Sequence, residues 1–188
     1  MIVTLTGPSG VGKGYLTSSM QSTLNAKIVP WTTTRQPRDD DHAVGNRRFI
    51  TREDFNRLQL QGLLVGVQTL HGEHYGLEKK LLGLVQQTEM HICEINSANV
   101  LEMFPFIRHR FSIALITENY ELLRDRIMNR EPAIDVTQLT SRLEVAIREA
   151  ELIKAHSSQF HLLINIDLYP ETAIASLAIE ALKKGVEQ

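Results

Sequence analysis

The chain has 188 residues, 43% of them hydrophobic and 22% charged, with a formal net charge of −2. That is enough apolar material for one buried core, and too balanced a charge for broad binding to nucleic acid or acidic membranes, so any anion site must be local. The single cysteine, Cys93, leaves no intrachain disulfide and fits a reducing cytoplasm, and no apolar run approaches membrane-spanning length.

An apolar strand over residues 1–6 opens the chain and feeds Gly7-Pro8-Ser9-Gly10-Val11-Gly12-Lys13; a helical stretch follows from Tyr15 to Leu24. A phosphate cradle requires that order. Small residues let successive backbone N–H groups curl around an anion, and the positive end of the next helix faces it. The pattern G-x-x-x-x-G-K assigns Gly7 to Gly14 and the adjoining Tyr15 to a nucleotide, ATP or GTP, with Lys13 on its outer phosphates. Where a Ser or Thr hydroxyl commonly meets Mg²⁺, this chain has Gly14, so the metal is expected to be held through water and the nucleotide phosphates. The alternative reading of Gly14 is a loop that binds nucleotide without efficient catalysis.

Apolar runs at 27–31, 90–96, 110–117 and 160–165 alternate with helical periodicity at 77–87, 119–129, 137–156 and 170–185. Such alternation specifies an α/β fold with a parallel sheet of about five strands, covered by helices on both faces. Between Thr32 and Gly76 the pattern changes. Short strands near 46–50, 64–70 and 73–76 surround a brief helix that Thr51 can cap, with Asp54 three residues on. This stretch reads as a small β-rich insertion. It carries Trp31-Thr32-Thr33-Thr34-Arg35-Gln36-Pro37-Arg38, two guanidiniums three residues apart, and His71-Gly72-Glu73-His74-Tyr75-Gly76. Arginine is suited to bidentate phosphate recognition, so these segments suggest a second phosphate-bearing ligand opposite the first.

Glu94 closes an apolar strand where a carboxylate can order the waters of Mg²⁺; a structurally paired glutamate is the other reading. Cys93, inside the same strand, reads as a buried structural thiol. The seven histidines show no metal-ligand spacing, and residues 183–188 are expected to fray.

Taken together, GPSGVGKG (7–14), TTRQPR (33–38), GNRRFITREDF (45–55), HGEHYG (71–76), RIMNR (126–130), SRLEVAIREAE (141–151) and LLINID (162–167) resemble the guanylate kinase family along nearly the whole chain. The resemblance implies a P-loop core over 1–31, 77–125 and 143–188, an acceptor-binding insertion over 32–76, and a mobile helical lid over 126–142. It implies ATP and Mg²⁺ as cofactors, γ-phosphoryl transfer to a small phosphomonoester, and a cytoplasmic monomer or homodimer without nucleic-acid or membrane partners. Arg35 and Arg38, helped by Tyr75, match the family's acceptor-phosphate clamp. Arg126 and Arg130 match its lid arginines and Arg142 the arginine of the following helix, which with Lys13 form the expected catalytic set. Asn165 matches the adenine contact, with an ordinary turn residue as the alternative.

The base-reading positions diverge. By the same resemblance, Trp31 stands where the family has a serine, Gly66 for a glutamate, Leu77 for a hydroxyl residue and Asn96 for an aspartate, while Arg47 replaces a phosphate-binding tyrosine. The phosphate clamp is kept and gains a charge, and most guanine-reading groups are gone, which removes discrimination at about tenfold per 1.4 kcal/mol. Arg47 and Asn96 remain in the expected acceptor set. GMP is the acceptor by resemblance, another phosphomonoester by the residues. Ile95-Asn96-Ser97 is similar to the strand end of ribose 1,5-bisphosphate phosphokinases, whereas Thr33-Thr34-Arg35-Gln36-Pro37-Arg38 is closer to the nucleotide kinases. A guanylate-kinase-like binding domain without catalysis would have lost the loop that Lys13 and its glycines keep.

Overall fold

The computed structural model describes residues 1–37, 47–70, 72–83, 89–107 and 109–186. In chain order its elements are β1 (Ile2–Thr6), α1 (Lys13–Leu24), β2 (Lys27–Ile28), β3 (Trp31–Thr33), β4 (Arg47–Phe49), α2 (Arg52–Leu60), β5 (Leu64–Leu70), β6 (Glu73–Glu78) and α3 (Lys79–Gly83). There follow β7 (His91–Glu94), α4 (Ser97–Met103), β8 (Arg110–Ile116), α5 (Tyr120–Arg130), α6 (Val136–Ala155), β9 (Leu162–Asn165) and α7 (Glu171–Val186), with three short 3-10 turns between them.

All five residues of β1 are buried, as a central parallel strand requires. Successive side chains of a strand point to opposite faces, so β1 feeds two cores. Val3 and Leu5 pack with Leu16 and Met20 of α1 and with Ile174, Ala178 and Leu182 of α7. Ile2 belongs to the other face, with Cys93 of β7, Val100 and Met103 of α4, Ile153 of α6, and Trp31, Val65 and Leu77 of β3, β5 and β6. The main sheet runs β2-β7-β1-β8-β9 with every pair parallel. The carboxyl ends of β1, β7, β8 and β9 therefore share one edge, the place where open parallel sheets take ligands.

The insertion forms a second sheet in the order β4-β3-β6-β5, parallel between β3 and β4 and antiparallel elsewhere. The Thr51 hydroxyl accepts from the Asp54 N–H at 3.1 Å and caps α2, as the sequence predicts. Two elements differ from the sequence reading. The strand expected over 27–31 divides at Pro30, which has no N–H for a ladder: Lys27–Ile28 pairs with β7, and Trp31–Thr33 begins the second sheet. The helix expected over 77–87 starts only at Lys79, because Leu77 and Glu78 extend β6. Leu77 is fully buried, and the Glu78 carboxylate accepts from Arg48, from Lys80 at 2.9 Å and from Thr32 at 3.1 Å; tertiary contacts override local helical periodicity there. Residues 84–87 of that expected helix lie outside the described residues.

Helices α5 and α6 are neighbours joined through residues 131–135, with Asn119 capping α5 and Asp135 capping α6. Among the described residues no helix is long and apolar enough to cross a membrane.

Candidate active site

The loop after β1 makes a turn that side chains would obstruct. Gly12, at the N-terminus of α1, has φ +105°, and a Cβ on Gly7 would stand 2.5 Å from the Leu115 carbonyl oxygen. Lys13 opens α1 and turns back across the loop, donating to the carbonyl oxygens of Gly7 at 2.6 Å and Pro8 at 3.0 Å. Burial lowers the Lys13 ammonium from its ordinary value; Glu149 and Glu94 oppose the shift, and the positive charges of Arg130 and Arg47 add to it. Tyr15, two residues on, is 41% exposed, and open space surrounds the position a Gly14 Cβ would take.

Helix α5 lies along this loop. Arg126 donates to the Gly10 carbonyl at 3.0 Å and to Glu171 at 2.6 Å, and Arg130 reaches Ser9 Oγ at 3.4 Å. Across the α5–α6 junction, Arg142 grips Glu131 with two bonds of 2.9 and 2.8 Å. Lys13, Arg126 and Arg130 thus meet at one loop, while Arg142 is engaged by Glu131 beside it.

Glu94 ends β7 next to β1, with Leu5 as its register partner. One carboxylate oxygen accepts from Thr17 Oγ1 at 2.7 Å, and its carbonyl accepts from the Trp31 indole N–H. The neighbouring Cys93 thiol is fully buried, and that burial pushes its pKa up, which suits the structural role read from sequence.

On the second sheet, Thr33 pairs with Tyr75, and Arg47 stands opposite Trp31 in the parallel β3–β4 register. The Arg35 guanidinium lies 5.4 Å from the centre of the Phe49 ring and donates to the Gln36 carbonyl at 2.9 Å. Arg38 and His71 lie outside the described residues. Asn96 is heavily engaged: its side-chain oxygen caps α4 by accepting from Asn99 N–H at 3.0 Å, and its amide donates to Gln68. Asn165, at the end of β9, accepts from the Asp167 N–H at 3.0 Å and caps the turn that follows, the local role open to it in the sequence.

The site contains residues that sequence reasoning passed over. Glu149 on α6 faces Ser97 at the start of α4 and lies within electrostatic reach of Lys13. Burial raises its pKa, while the positive charge of Lys13 and the nearby Ser97 pull it back. Its spacing of seven from Arg142, two helical turns on the same face, was the available signal. Thr17, four residues after Lys13, was equally legible. Met103 had no signal: its Sδ would be 2.6 Å from a Cβ on Gly66, whose φ is +59°. Among the described residues no group of three or more His, Cys, Asp or Glu side chains is placed to hold a metal ion.

A glycine loop at the carboxyl edge of a parallel sheet, with a lysine and two arginines converging on it, defines the class of P-loop phosphotransferases. No protein-family model matches the chain. Named relatives do. It is 30% identical over 151 residues to the guanylate kinase of Thermosynechococcus vestitus, covering 77% of this chain and 79% of that protein. It is 30% identical over 131 residues to that of Trichormus variabilis, covering 69% of this chain and 66% of that protein, so this match spans about two thirds of the relative's length. The match to the Rickettsia bellii guanylate kinase is 26% over 188 residues and covers 98% and 96% of the two chains. The chain belongs to the guanylate kinase family. By class it is an ATP-dependent kinase acting on a phosphate-bearing acceptor.

The crystal structure of guanylate kinase from Anaplasma phagocytophilum superposes with a TM-score of 0.71 at 21% identity, covering 98% of this chain and 85% of that one. A gluconokinase from Sinorhizobium meliloti gives 0.56 at 12% identity, covering 98% and 93%. These two likenesses establish the shared fold.

Proposed function

We propose that the protein transfers the γ-phosphoryl group of ATP to the phosphate of a small phosphomonoester, held between the phosphate loop and the second sheet. The observation that carries this reading is the convergence of Lys13, Arg126 and Arg130 on the loop. Phosphoryl transfer asks little covalent chemistry of a protein; it asks for in-line alignment and positive charge on the transferring group. Lys13 and the loop amides hold the outer phosphates. Arg126 and Arg130 bring further charge, and movement of the segment 126–142 toward the loop excludes water. Arg142 orders the junction through Glu131 in this arrangement. Arg35, Arg38 and Tyr75, with Arg47, hold the acceptor phosphate and so align its attacking oxygen. That oxygen bonds to the γ-phosphorus as the bridge to ADP breaks. Asn165 sits at the sheet edge where the adenine end of ATP would lie.

Bound Mg²⁺ neutralises charge on the β- and γ-phosphates. The residues suit it: the Glu94 carboxylate ends the strand beside β1, and open space adjoins Gly14, which matches an ion held mainly by water and phosphate.

GMP is the acceptor that family membership suggests. The side chains favour a different one. Trp31 and Leu77 are buried in the core, Gly66 abuts Met103 and Trp31, and Asn96 is tied to Gln68 and its own helix. A purine meeting this wall finds few groups to read its edge. We assign the protein a phosphomonoester better than GMP, and the extra charge of Arg47 favours a more anionic one such as ribose 1,5-bisphosphate. The test is ADP release from ATP-Mg²⁺ with GMP, dGMP, the other nucleoside monophosphates and ribose 1,5-bisphosphate. GMP as the best acceptor, turned over at rates ordinary for an enzyme, overturns the specificity and leaves the kinase standing. No turnover with any acceptor, despite tight ATP binding, favours a nucleotide-binding domain without catalysis.

A further inference from the structure

The helix that begins at Lys13 lacks a hydroxyl at Gly14, but one turn later it offers another. Thr17 is fully buried, and its Oγ1 donates to Glu94 Oε1 at 2.7 Å across 77 residues of chain. Threonine inside a helix commonly satisfies its hydroxyl on the carbonyl of the preceding turn. Here it donates to a carboxylate on the strand beside β1. Lys13 and Thr17 are four residues apart and share a helix face, so the hydroxyl and the phosphate lysine approach Glu94 from the same side. The Glu94 backbone is fixed independently by the Trp31 indole N–H on its carbonyl and by the parallel pairing of β7 with β1. With backbone and one oxygen fixed, the other oxygen has a defined direction.

We infer that Thr17 is a positioning residue for Mg²⁺: its hydroxyl fixes the Glu94 carboxylate that orders the waters of the metal and replaces, from the next turn of α1, the hydroxyl that Gly14 lacks. This rests on the proposed role of Glu94. Outer-shell partners of this kind are worth about ten- to a hundredfold in metal affinity.

The experiment titrates Mn²⁺, followed by its electron paramagnetic resonance, into the whole protein saturated with ATP and without acceptor. ATP affinity is measured separately in EDTA. Thr17→Val, of nearly equal shape, is expected to weaken Mn²⁺ binding about tenfold and to leave ATP binding in EDTA unchanged; Thr17→Ser is expected to restore the metal affinity. In a Glu94→Gln background the Thr17→Val change is expected to have no further effect, because Thr17 acts through that carboxylate. Should Thr17→Val fail to fold, Glu94→Asp, which withdraws the carboxylate from Thr17, is expected to weaken Mn²⁺ binding comparably. Wild-type Mn²⁺ affinity in folded Thr17→Val, with Glu94→Gln impaired, overturns the role of Thr17 and leaves that of Glu94. Unchanged affinity in Glu94→Gln overturns the metal role of Glu94 and this inference with it. Equal loss of ATP binding in EDTA and of Mn²⁺ binding shows a purely structural tie between α1 and β7 and overturns the inference as well.

Discussion

The phosphate loop and the second sheet are built in different ways. At residues 7–14 the conformation is set by backbone: positive φ at Gly12, the approach of Gly7 to the Leu115 carbonyl, and a lysine folded onto two main-chain oxygens. At the second sheet it is set by side chains from separate segments, some of them off the sheet: Arg35 over Phe49, Asn96 on Gln68, Met103 and Trp31 against Gly66. A backbone cradle serves any polyphosphate and tolerates little change. A side-chain surface can be rebuilt residue by residue while the sheet beneath it stays the same. On the proposed assignment, the side that would hold ATP is the harder of the two to rebuild, and the side that would hold the acceptor is where specificity can change.

The comparison breaks first at Lys13. Lys13→Ala is expected to lower kcat roughly a thousandfold, because it removes charge from the transferring group. ADP release with the best acceptor measures this, and a surviving kcat would move the chemistry off the loop. Arg35→Ala should cut kcat/KM for the acceptor about a hundredfold, through lost alignment, and leave ATP affinity unchanged. A change in ATP affinity alone would erase the division between the two sides.

Gly66→Ala tests whether the acceptor wall is packed as tightly as its distances indicate. A methyl there meets Met103 Sδ at 2.6 Å on a backbone with φ +59°, so urea unfolding should show a loss of about 1–3 kcal/mol. An unchanged midpoint would mean that Met103 moves aside and the wall is soft.

The smallest expected effect lies at Glu149. Burial raises its pKa in the folded state, so the folded protein binds that proton more tightly than the unfolded chain does. Its contribution to stability is fully present below the unfolded pKa, about 4.3, and is lost as pH rises through the folded value. Glu149→Gln should therefore raise the Tm at neutral pH, and the gain should vanish on acidification. A gain that does not vary with pH would trace to shape rather than charge.

Much of this protein was legible in its 188 residues. The β1 strand, the glycine loop and the helix after it are local features, and the alternation of apolar runs with helical periodicity carried the parallel sheet, because strand and helix burial leave different periods in a sequence. The cap at Thr51 is local in the same way, whereas Arg126 and Arg130 of α5 were singled out only by the family resemblance. The sequence alone did not show that Pro30 divides one apolar run between two sheets, or that Leu77 and Glu78 belong to a strand. Those outcomes depend on partners at β7, Trp31 and Arg48, distant in the chain. The contacts of Thr17 with Glu94 and Gly66 with Met103, and the approach of Glu149 to Ser97, join residues 37 to 77 positions apart. Sequence determined which backbone turns and periodic faces would form, because neighbouring residues decide them. Tertiary structure decided which side chains from distant segments meet, because only the packing of helices and strands against one another brings those residues within bonding distance.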